Sequence, residues 1–104
     1  MSRKSISETN SPLDLLIHEA SRLVIISALN ECPSADFNFL LNVTKLTRGN
    51  LSVHLSKLIT AAYVKETKEF IDRKPHTDYC MTPIGKQAFQ AYQKNWKMLT
   101  ARKV

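Results

Sequence analysis

One stretch of this 104-residue chain constrains its fold more than any other. Between Thr47 and Ala62, apolar side chains recur at helical spacing, at Leu51, Leu55, Leu58, Ile59 and Ala62. This spacing brings all five to one side of an α-helix, so that side must be buried. Thr47 precedes the pattern, and its hydroxyl suits the N-cap position. The sequence therefore predicts an amphipathic helix from Thr47 to Ala62 that packs on a hydrophobic core.

The first part of the chain also has a helical pattern. Pro12 suits a first helical turn, and apolar residues then recur at helical spacing down to Ala28. The pattern fits one long helix or, as we favour, two short helices broken near Ser21, whose hydroxyl can cap the second. Residues 1–11 are rich in Ser, Asn and Thr, so we expect a flexible tail followed by one domain over residues 12–104.

A short helix is expected between these segments. Pro33 ends the earlier pattern, and Ser34 or Asp36 can cap the next helix. That helix runs from residue 37 to about residue 43. The segment "TKLT" then forms the turn that leads into Thr47. The order is that of a helix-turn-helix over about residues 36–62.

Strand-like residues follow the amphipathic helix. They begin at Tyr63, and "DYCMT" predicts a second strand. Asp72 and Pro75 supply turn chemistry between the strands, which places Arg73 and Lys74 at the tip of a hairpin. We therefore expect a basic wing directly after the helix-turn-helix.

The predicted fold class is mainly α with a β-hairpin wing. A winged helix-turn-helix of this kind has a three-helix core, a wing over about residues 63–82 and a long C-terminal helix over about residues 83–101. Thr82 and Pro83 form a strong start for that last helix, as an N-cap followed by proline at the first helical position.

The distribution of charge favours an anionic partner. The chain has 15 Lys and Arg against 9 Asp and Glu, a net charge of +6 and a pI near 9.6. Residues 1–44 contain 3 basic and 5 acidic side chains, residues 45–77 contain 7 and 3, and residues 78–104 contain 5 and 1. Such a basic second half suits nucleic acid or an acidic membrane surface. We therefore expect the first part to be scaffold.

Other classes of protein are disfavoured. No apolar run approaches the roughly 18 residues that span a bilayer, and the start "MSRKSISETNSP" lacks the apolar stretch of a signal peptide, so a cytoplasmic protein is expected. Cys32 and Cys80 fit no metal-binding spacing and form no expected cluster with His18 or His54, so no metal and no cofactor are expected. The chain offers no nucleophile with a neighbouring base, no paired carboxylates and no phosphate loop, so no catalytic residue is predicted.

Four segments, taken in order, resemble the small winged-helix transcriptional regulators related to the MarR and ArsR families. They are "LIHEASRL", "LTRGNLSVHLSKL", "YVKETKEF" and "RKPHTDYCMTPIGK", and the resemblance covers about residues 13–92. It implies a homodimer formed through the first and last helices, and a helix over residues 47–62 that enters the DNA major groove. It implies no catalytic activity.

Three positions depart from the family pattern. Val53 stands where Arg or another polar residue is common between the Ser and the His. Ala62 stands where Gly is common before the aromatic residue, and "HEASR" stands where a Pro often divides the first two helices. The first departure bears on base preference, and the other two bear on local geometry.

The outward side of the amphipathic helix is small and weakly charged. A face that enters a groove about 12 Å wide needs small groups at its centre and polar groups at its flanks. Gly49 allows close approach of the backbone, Val53 can meet a thymine methyl and Asn50 can pair with adenine. The alternative is a solvated face with small residues by chance. The predicted DNA-contacting residues here are Thr47, Arg48, Gly49, Asn50, Ser52, Val53, Ser56 and Lys57.

Basic side chains gather in the predicted wing. Such a wing follows the DNA backbone or enters the minor groove, whose potential attracts Arg and Lys. The alternative is that these residues only increase solubility. The predicted contacts are Lys65, Lys68, Arg73, Lys74, His76 and Thr77.

An apolar seam on the C-terminal helix predicts self-association. A helix of about 18 residues is about 27 Å long, more than a small three-helix core can cover. Trp96 and Leu99 would then be exposed in a monomer, unless this end folds back on its own core. The predicted dimerisation residues are Leu13, Leu16, Ile17, Phe89, Tyr92, Trp96 and Leu99.

The sequence therefore predicts a homodimeric transcriptional regulator that binds double-stranded DNA sequence-specifically. The helix over residues 47–62 would read the major groove, and the wing would lie on the flanking backbone or minor groove. The alternative is a winged-helix module that binds a protein or RNA partner. The sequence defines no membrane partner and leaves any small-molecule effector unspecified.

Overall fold

The structure, a computed structural model of the chain, describes residues 13–101. The expected tail over residues 1–11 and the predicted helix start at Pro12 lie outside the described residues. The helices are α1 (Ala20–Asn30), α2 (Phe37–Thr44), α3 (Arg48–Thr60) and α4 (Pro83–Thr100). The strands are β1 (Ala35–Asp36), β2 (Val64–Ile71) and β3 (Lys74–Met81), which form an antiparallel sheet in the order β1-β3-β2. The predicted winged helix-turn-helix is confirmed.

The segment before α1 is a series of turns rather than a helix. The side chain of Asp14 accepts the backbone N–H of Leu16 at 2.9 Å, and its carbonyl accepts the N–H of His18 at 2.7 Å, so the segment forms a capped turn that does not continue as a helix. Glu19, in an extended conformation, caps α1 by accepting the backbone N–H of Arg22 at 2.8 Å. The expectation of one long helix is therefore wrong, and of the two short helices that we favoured only the second is formed within the described residues. The favoured break near Ser21 is close to the observed start, but Ser21 is not the cap.

The helix-turn-helix is formed by α2 and α3, and two of the predicted N-caps, Asp36 and Thr47, are confirmed. Asp36 accepts the N–H of Phe39 at 2.8 Å, and Thr47 accepts the N–H of Asn50 at 3.1 Å. Lys45 ends α2 in the left-handed conformation, with φ of 63°. Asp36 thus begins α2, and Lys45 and Thr47 set the turn between α2 and α3.

Helix α3 ends earlier than the sequence predicts. Ala62 has φ of 67°, and its N–H bonds to the carbonyl of Ile59 while the N–H of Tyr63 bonds to the carbonyl of Leu58. This pair of bonds is a Schellman motif, which satisfies the last carbonyls of the helix. Ala62 is therefore exposed beyond the helix end, and its assignment to the buried face is wrong.

The wing is a hairpin with a two-residue turn. Asp72 and Arg73 both have positive φ, 51° and 67°, which is the geometry of a type I′ turn. Of the two residues predicted at the tip, Arg73 lies in the turn, whereas Lys74 already belongs to β3. Pro75, predicted as a turn residue, also belongs to β3. Lys74 pairs with Ile71 across the closing position of the loop, which makes the next pair, Pro75 with Phe70, a non-hydrogen-bonded one. Pro75 is tolerated because β2 needs no N–H from it.

The core gathers side chains from every element of the sheet and helices. β1, which the sequence did not predict, adds Ala35 opposite Tyr79. Within residues 13–101, no helix is long and apolar enough to cross a lipid bilayer. The buried apolar residues are Ile17, Ile25, Ile26, Leu29, Ala35, Leu40, Leu51, Leu55, Leu58, Val64, Tyr79, Met81, Phe89 and Tyr92.

Candidate nucleic-acid interface

The outward face of α3 lies directly above a row of buried leucines. Leu51, Leu55 and Leu58 are each 2% exposed or less, so the helix is held firmly on the core. On the opposite side Val53 is 53% exposed. The predicted direction of this face is confirmed, because its other members are also exposed: Arg48, Gly49, Asn50, Ser52, Ser56, Lys57 and Thr60.

Gly49 has no structural reason to be glycine within the described chain. A Cβ added there would meet no heavy atom within 4 Å, and the residue has ordinary helical geometry. Gly49 is the second residue of α3, and glycine in place of alanine costs about 0.4–1 kcal/mol through the greater entropy of the unfolded chain. The described chain gives no compensating contact, which is compatible with a partner that approaches the backbone closely.

Two predicted contacts at the start of α3 already have partners in the chain. The hydroxyl of Thr47 is the N-cap of α3. The Arg48 guanidinium lies 5.6 Å from the centre of the Phe37 ring, and its Nη2 is 3.5 Å from Asn38 Oδ1. Arg48 remains exposed, so the contact with α2 holds a cation at the edge of the face.

His54 ties α3 to the start of α1. Its Nδ1 lies 3.1 Å from Arg22 Nη1 and 3.8 Å from Glu19 Oε1. Because arginine only donates, this bond assigns Nδ1 as the acceptor and Nε2 as the protonated nitrogen. The pKa of Glu19 is lowered mainly by the hydrogen bond from the Arg22 backbone N–H. The expected orienting role of His54 fits this arrangement, and its partners were not predicted.

Two tyrosine hydroxyls form hydrogen bonds next to the predicted DNA-contacting residues. The Tyr63 hydroxyl donates to Asp14 just after α3, and burial raises the pKa of that phenol well above its usual value. Tyr79 donates to Glu66 Oε2 at 3.1 Å across the wing, and burial together with this bond raises the pKa of Tyr79 to about 12. Both hydroxyls therefore stay protonated donors at neutral pH.

The predicted basic residues of the wing do not form one surface. We call the side of the hairpin that carries Tyr79 and Met81 the inner face, and the other side the outer face. Side chains alternate between faces along each strand. Register therefore places Lys68 and Thr77 on the inner face, and Lys65, Lys74 and His76 on the outer face. Arg73 lies in the turn between them.

The wing also carries apolar side chains at its tip, which the sequence reasoning counted only as strand-forming residues. Phe70 is 74% exposed and Ile71 is 47% exposed. They directly precede the Asp72–Arg73 turn, on opposite faces of β2. Two adjacent apolar residues before a turn were visible in the sequence, but their exposure follows from the length and register of the hairpin, which only the structure shows.

The predicted dimerisation seam divides into two groups. Ile17, Phe89 and Tyr92 are buried in the core of their own chain, at 5% exposure or less, so they are not free for a partner. Leu13 and Leu16 are partly buried against the same core. Trp96 and Leu99 are 46% and 42% exposed. A cavity of about 480 Å³ opens beside Trp96, with His18, Leu23, Phe89 and Tyr92 among its lining residues.

The two cysteines belong to different parts of the fold. Cys32 follows α1, and its thiol donates to the Ala28 carbonyl at 3.3 Å. Cys80 lies on the outer face of β3. Both are free thiols.

Comparison with known proteins agrees with this architecture. A family model of the winged helix DNA-binding domain matches residues 21–100. An uncharacterized protein of Methanocaldococcus jannaschii is 31% identical over 77 residues, which is 74% of this chain and 84% of that protein. The structure of a transcriptional regulator homologue from Pyrococcus horikoshii superposes with a TM-score of 0.79 at 26% identity, over 93% of this chain and 94% of the other.

The chain also shares its fold with a protein described as a member of the MarR family. A protein of Enterococcus faecalis described as a MarR-family transcriptional regulator has a TM-score of 0.75 at 20% identity, over 97% of this chain and 91% of the other. The resemblance inferred from the four sequence segments is thus confirmed. Because the family match covers α1 through α4 and includes the helix-turn-helix and the wing, this chain belongs to the winged-helix DNA-binding domain family.

Proposed function

We propose that the protein is a homodimeric transcriptional regulator that binds double-stranded DNA sequence-specifically. The observation that carries the proposal is the outward face of α3. It is small, weakly charged and exposed, and it lies on a helix whose other side packs on the core through three buried leucines. A helix held this way presents small side chains on a rigid backbone, which suits insertion into the major groove.

The side chains of this face suit different kinds of contact. Gly49 lets the backbone approach the DNA, since its surroundings in the chain are open. Val53 at the centre suits a thymine methyl, and Asn50 suits the donor–acceptor pair of adenine. Lys57 near the end of the helix, and Arg48 beside Phe37, suit phosphate. Base preference would then come chiefly from Asn50 and Val53.

The wing suits the DNA that flanks the helix. Arg73 lies in the turn, with Lys74 on the outer face and Lys68 on the inner face, so cations surround the tip. Phe70 projects beside them with most of its surface exposed. Arginine is attracted to a narrow minor groove, and apolar side chains can wedge there between bases. We therefore assign the tip to the minor groove.

We expect Lys57→Ala and Arg73→Ala to weaken binding about equally on all DNA sequences. Each removes a cation that contacts phosphate, so the slope of log affinity against log salt should fall by about 1 for each variant. Val53→Ala and Asn50→Ala should instead change which sequences are preferred, by about 1–3 kcal/mol at the affected base pairs. The measurement is selection from random duplex DNA, followed by titration of selected and random duplexes at several salt concentrations.

Equal losses on selected and random DNA for all four variants would contradict this division of roles. A purified protein that shows no salt-sensitive binding to any duplex, but binds RNA or a co-purifying protein through the same residues, would overturn the proposed function in favour of the interaction module.

Dimerisation would use the exposed end of α4. Trp96 and Leu99 leave an apolar strip on one side of a helix about 27 Å long, next to an open cavity. A second copy would cover this strip and place two α3 helices at successive major grooves of a roughly palindromic site.

Trp96→Ser with Leu99→Ser is expected to weaken the dimer by at least about 2 kcal/mol, roughly thirtyfold in the dissociation constant. Sedimentation analysis over a concentration series measures this constant. Met98→Ser is the matched control, because Met98 is 63% exposed but lies on the opposite side of α4 at 100° per residue. An unchanged dimer in the double variant, or an equal loss with Met98→Ser, would refute this interface.

A further inference from the structure

Three potential metal ligands converge on the outer face of the wing. Glu69 of β2 is the register partner of His76 of β3, and Asp78 is two residues further along the same strand. The ligand atoms of these three side chains all lie within 4.8 Å of one another. His76 Nε2 is 3.0 Å from Asp78 Oδ1. Strand pairing, rather than a loop, sets the position of each of these residues, so their backbone is held rigidly.

The types of ligand in this cluster are specific enough to suggest a class of cation. One imidazole and two carboxylates are a ligand set used for zinc and similar divalent transition metals, whereas calcium and magnesium prefer oxygen ligands alone. Metal–ligand distances of about 2.0–2.2 Å place neighbouring ligand atoms about 3.3 Å apart. Because Glu69 is exposed, we expect its side chain to rotate so that the ligand atoms, now within 4.8 Å of one another, reach this spacing, with water as the remaining ligand.

The charges around the cluster are otherwise poorly compensated. Among the described residues, neither Glu69 nor Asp78 forms an ion pair with a lysine or arginine, and Asp78 instead forms a hydrogen bond with His76. Asp36 of β1 is the register partner of Asp78 and adds a third carboxylate nearby. This concentration of negative charge lies in a wing that also has Lys65, Lys68, Arg73 and Lys74. The cations of the wing are thus not used to neutralise it.

We propose that Glu69, His76 and Asp78 bind a divalent transition metal of the zinc type. The site differs from any expected from the cysteines, because Cys80 lies on the same face but its sulfur is not part of the convergent set. A bound cation would neutralise the carboxylates of the wing and so strengthen its attraction to phosphate. This consequence for DNA rests on the proposed function, whereas metal binding itself does not.

The test is calorimetric titration of the untagged full-length protein with zinc ions alone, repeated with cobalt(II) ions alone for spectroscopy. We expect one metal ion per chain and no thiolate-to-cobalt charge-transfer band. His76→Ala, Glu69→Gln and Asp78→Asn should each weaken binding on the order of tenfold or more. Glu66→Gln is the matched control, since it removes the same charge from the same strand but on the inner face. It should leave metal affinity unchanged.

The possible outcomes distinguish metal binding itself from its proposed effect on DNA binding. Absence of zinc binding, unchanged affinity in the His76→Ala and Glu69→Gln variants, or an equal loss in Glu66→Gln would overturn the metal site. Circular dichroism of each variant shows whether a loss reflects unfolding, and the Glu69→Gln variant, altered at an exposed position, keeps the test decisive if His76→Ala unfolds.

A DNA titration with and without zinc tests the second step. We expect zinc to raise affinity for duplex DNA in the wild-type protein and not in Glu69→Gln. Zinc binding without any change in DNA affinity would refute the coupling and leave the metal site established. Zinc binding by a protein that binds no duplex would refute the proposed function alone.

Discussion

Gly85→Ala is expected to destabilise the protein by about 3 kcal/mol, because the new methyl group has no space. Gly85 is buried near the start of α4, where a Cβ would lie 2.2 Å from the Tyr63 carbonyl oxygen and 2.9 Å from its carbonyl carbon. These are backbone atoms directly after α3, so no side-chain rotation can relieve the contact. Urea denaturation, at matched protein concentration, measures the free energy of unfolding.

The same collision would disturb the start of α4. The Tyr63 carbonyl accepts the N–H of Thr82 at 3.0 Å, and the Thr82 hydroxyl donates to the Ala62 carbonyl at 2.6 Å. Thr82 is also the N-cap of α4. Moving Tyr63 away from residue 85 would strain this junction, which joins the end of α3 to the helix proposed for dimerisation. The expected loss therefore includes hydrogen bonds as well as packing.

Gly49→Ala is the matched control, since it makes the identical change in open space. It should stabilise the fold by about 0.5–1 kcal/mol, because alanine restricts the unfolded chain and favours helix. If the proposed close approach to DNA is correct, the same variant should bind DNA more weakly despite its greater stability. Gly85→Ala with wild-type stability, or Gly49→Ala with an equal loss, would contradict the packing described for α4.

Val53→Glu is expected to abolish most DNA binding while leaving the fold intact. Val53 is 53% exposed at the centre of the outward face of α3, so a glutamate there contacts no core residue. In the major groove the same carboxylate would face the phosphates and the acceptor atoms of the bases. Like charges brought together at an interface cost several kcal/mol, so affinity should fall by at least about 2 kcal/mol, roughly thirtyfold.

The control for Val53→Glu is Met98→Glu, which adds the same charge to an exposed position on α4. Fluorescence anisotropy with a selected duplex measures both variants, and thermal unfolding checks that both remain folded. Comparable losses for the two variants would mean that net charge alone governs binding. No loss with Val53→Glu would show that the outward face of α3 does not contact DNA.

Local sequence patterns were sufficient to predict the helix-turn-helix. The leucines of α3 repeat with the period of a helix, and the side chains of Asp36 and Thr47 cap helices through bonds to residues three positions away. Both kinds of signal lie within a few residues, so they can be read without knowing the fold. The end of α3 was less predictable, because Ala62 takes a left-handed conformation that favours glycine.

Features that depend on pairing between distant residues were not predicted, or residues on different faces were predicted to form one surface. β1 has only two residues and exists because Ala35 and Asp36 pair with β3, more than forty positions away. The basic residues of the wing were treated as one set because the register of the hairpin, which separates Lys68 from Lys65 and Lys74, follows from the exact turn. The convergence of Glu69, His76 and Asp78 depends on the same register.

By itself, the sequence determined that this chain forms a helix-turn-helix with a basic hairpin, because helical period, capping residues and charge are local properties. Only the tertiary structure decided which apolar residues remain available to a partner. Phe89, Tyr92 and Trp96 follow the same spacing, yet the first two are covered by their own chain and Trp96 is not. Spacing defines the side of a helix on which a residue lies, whereas its burial depends on where the neighbouring elements end.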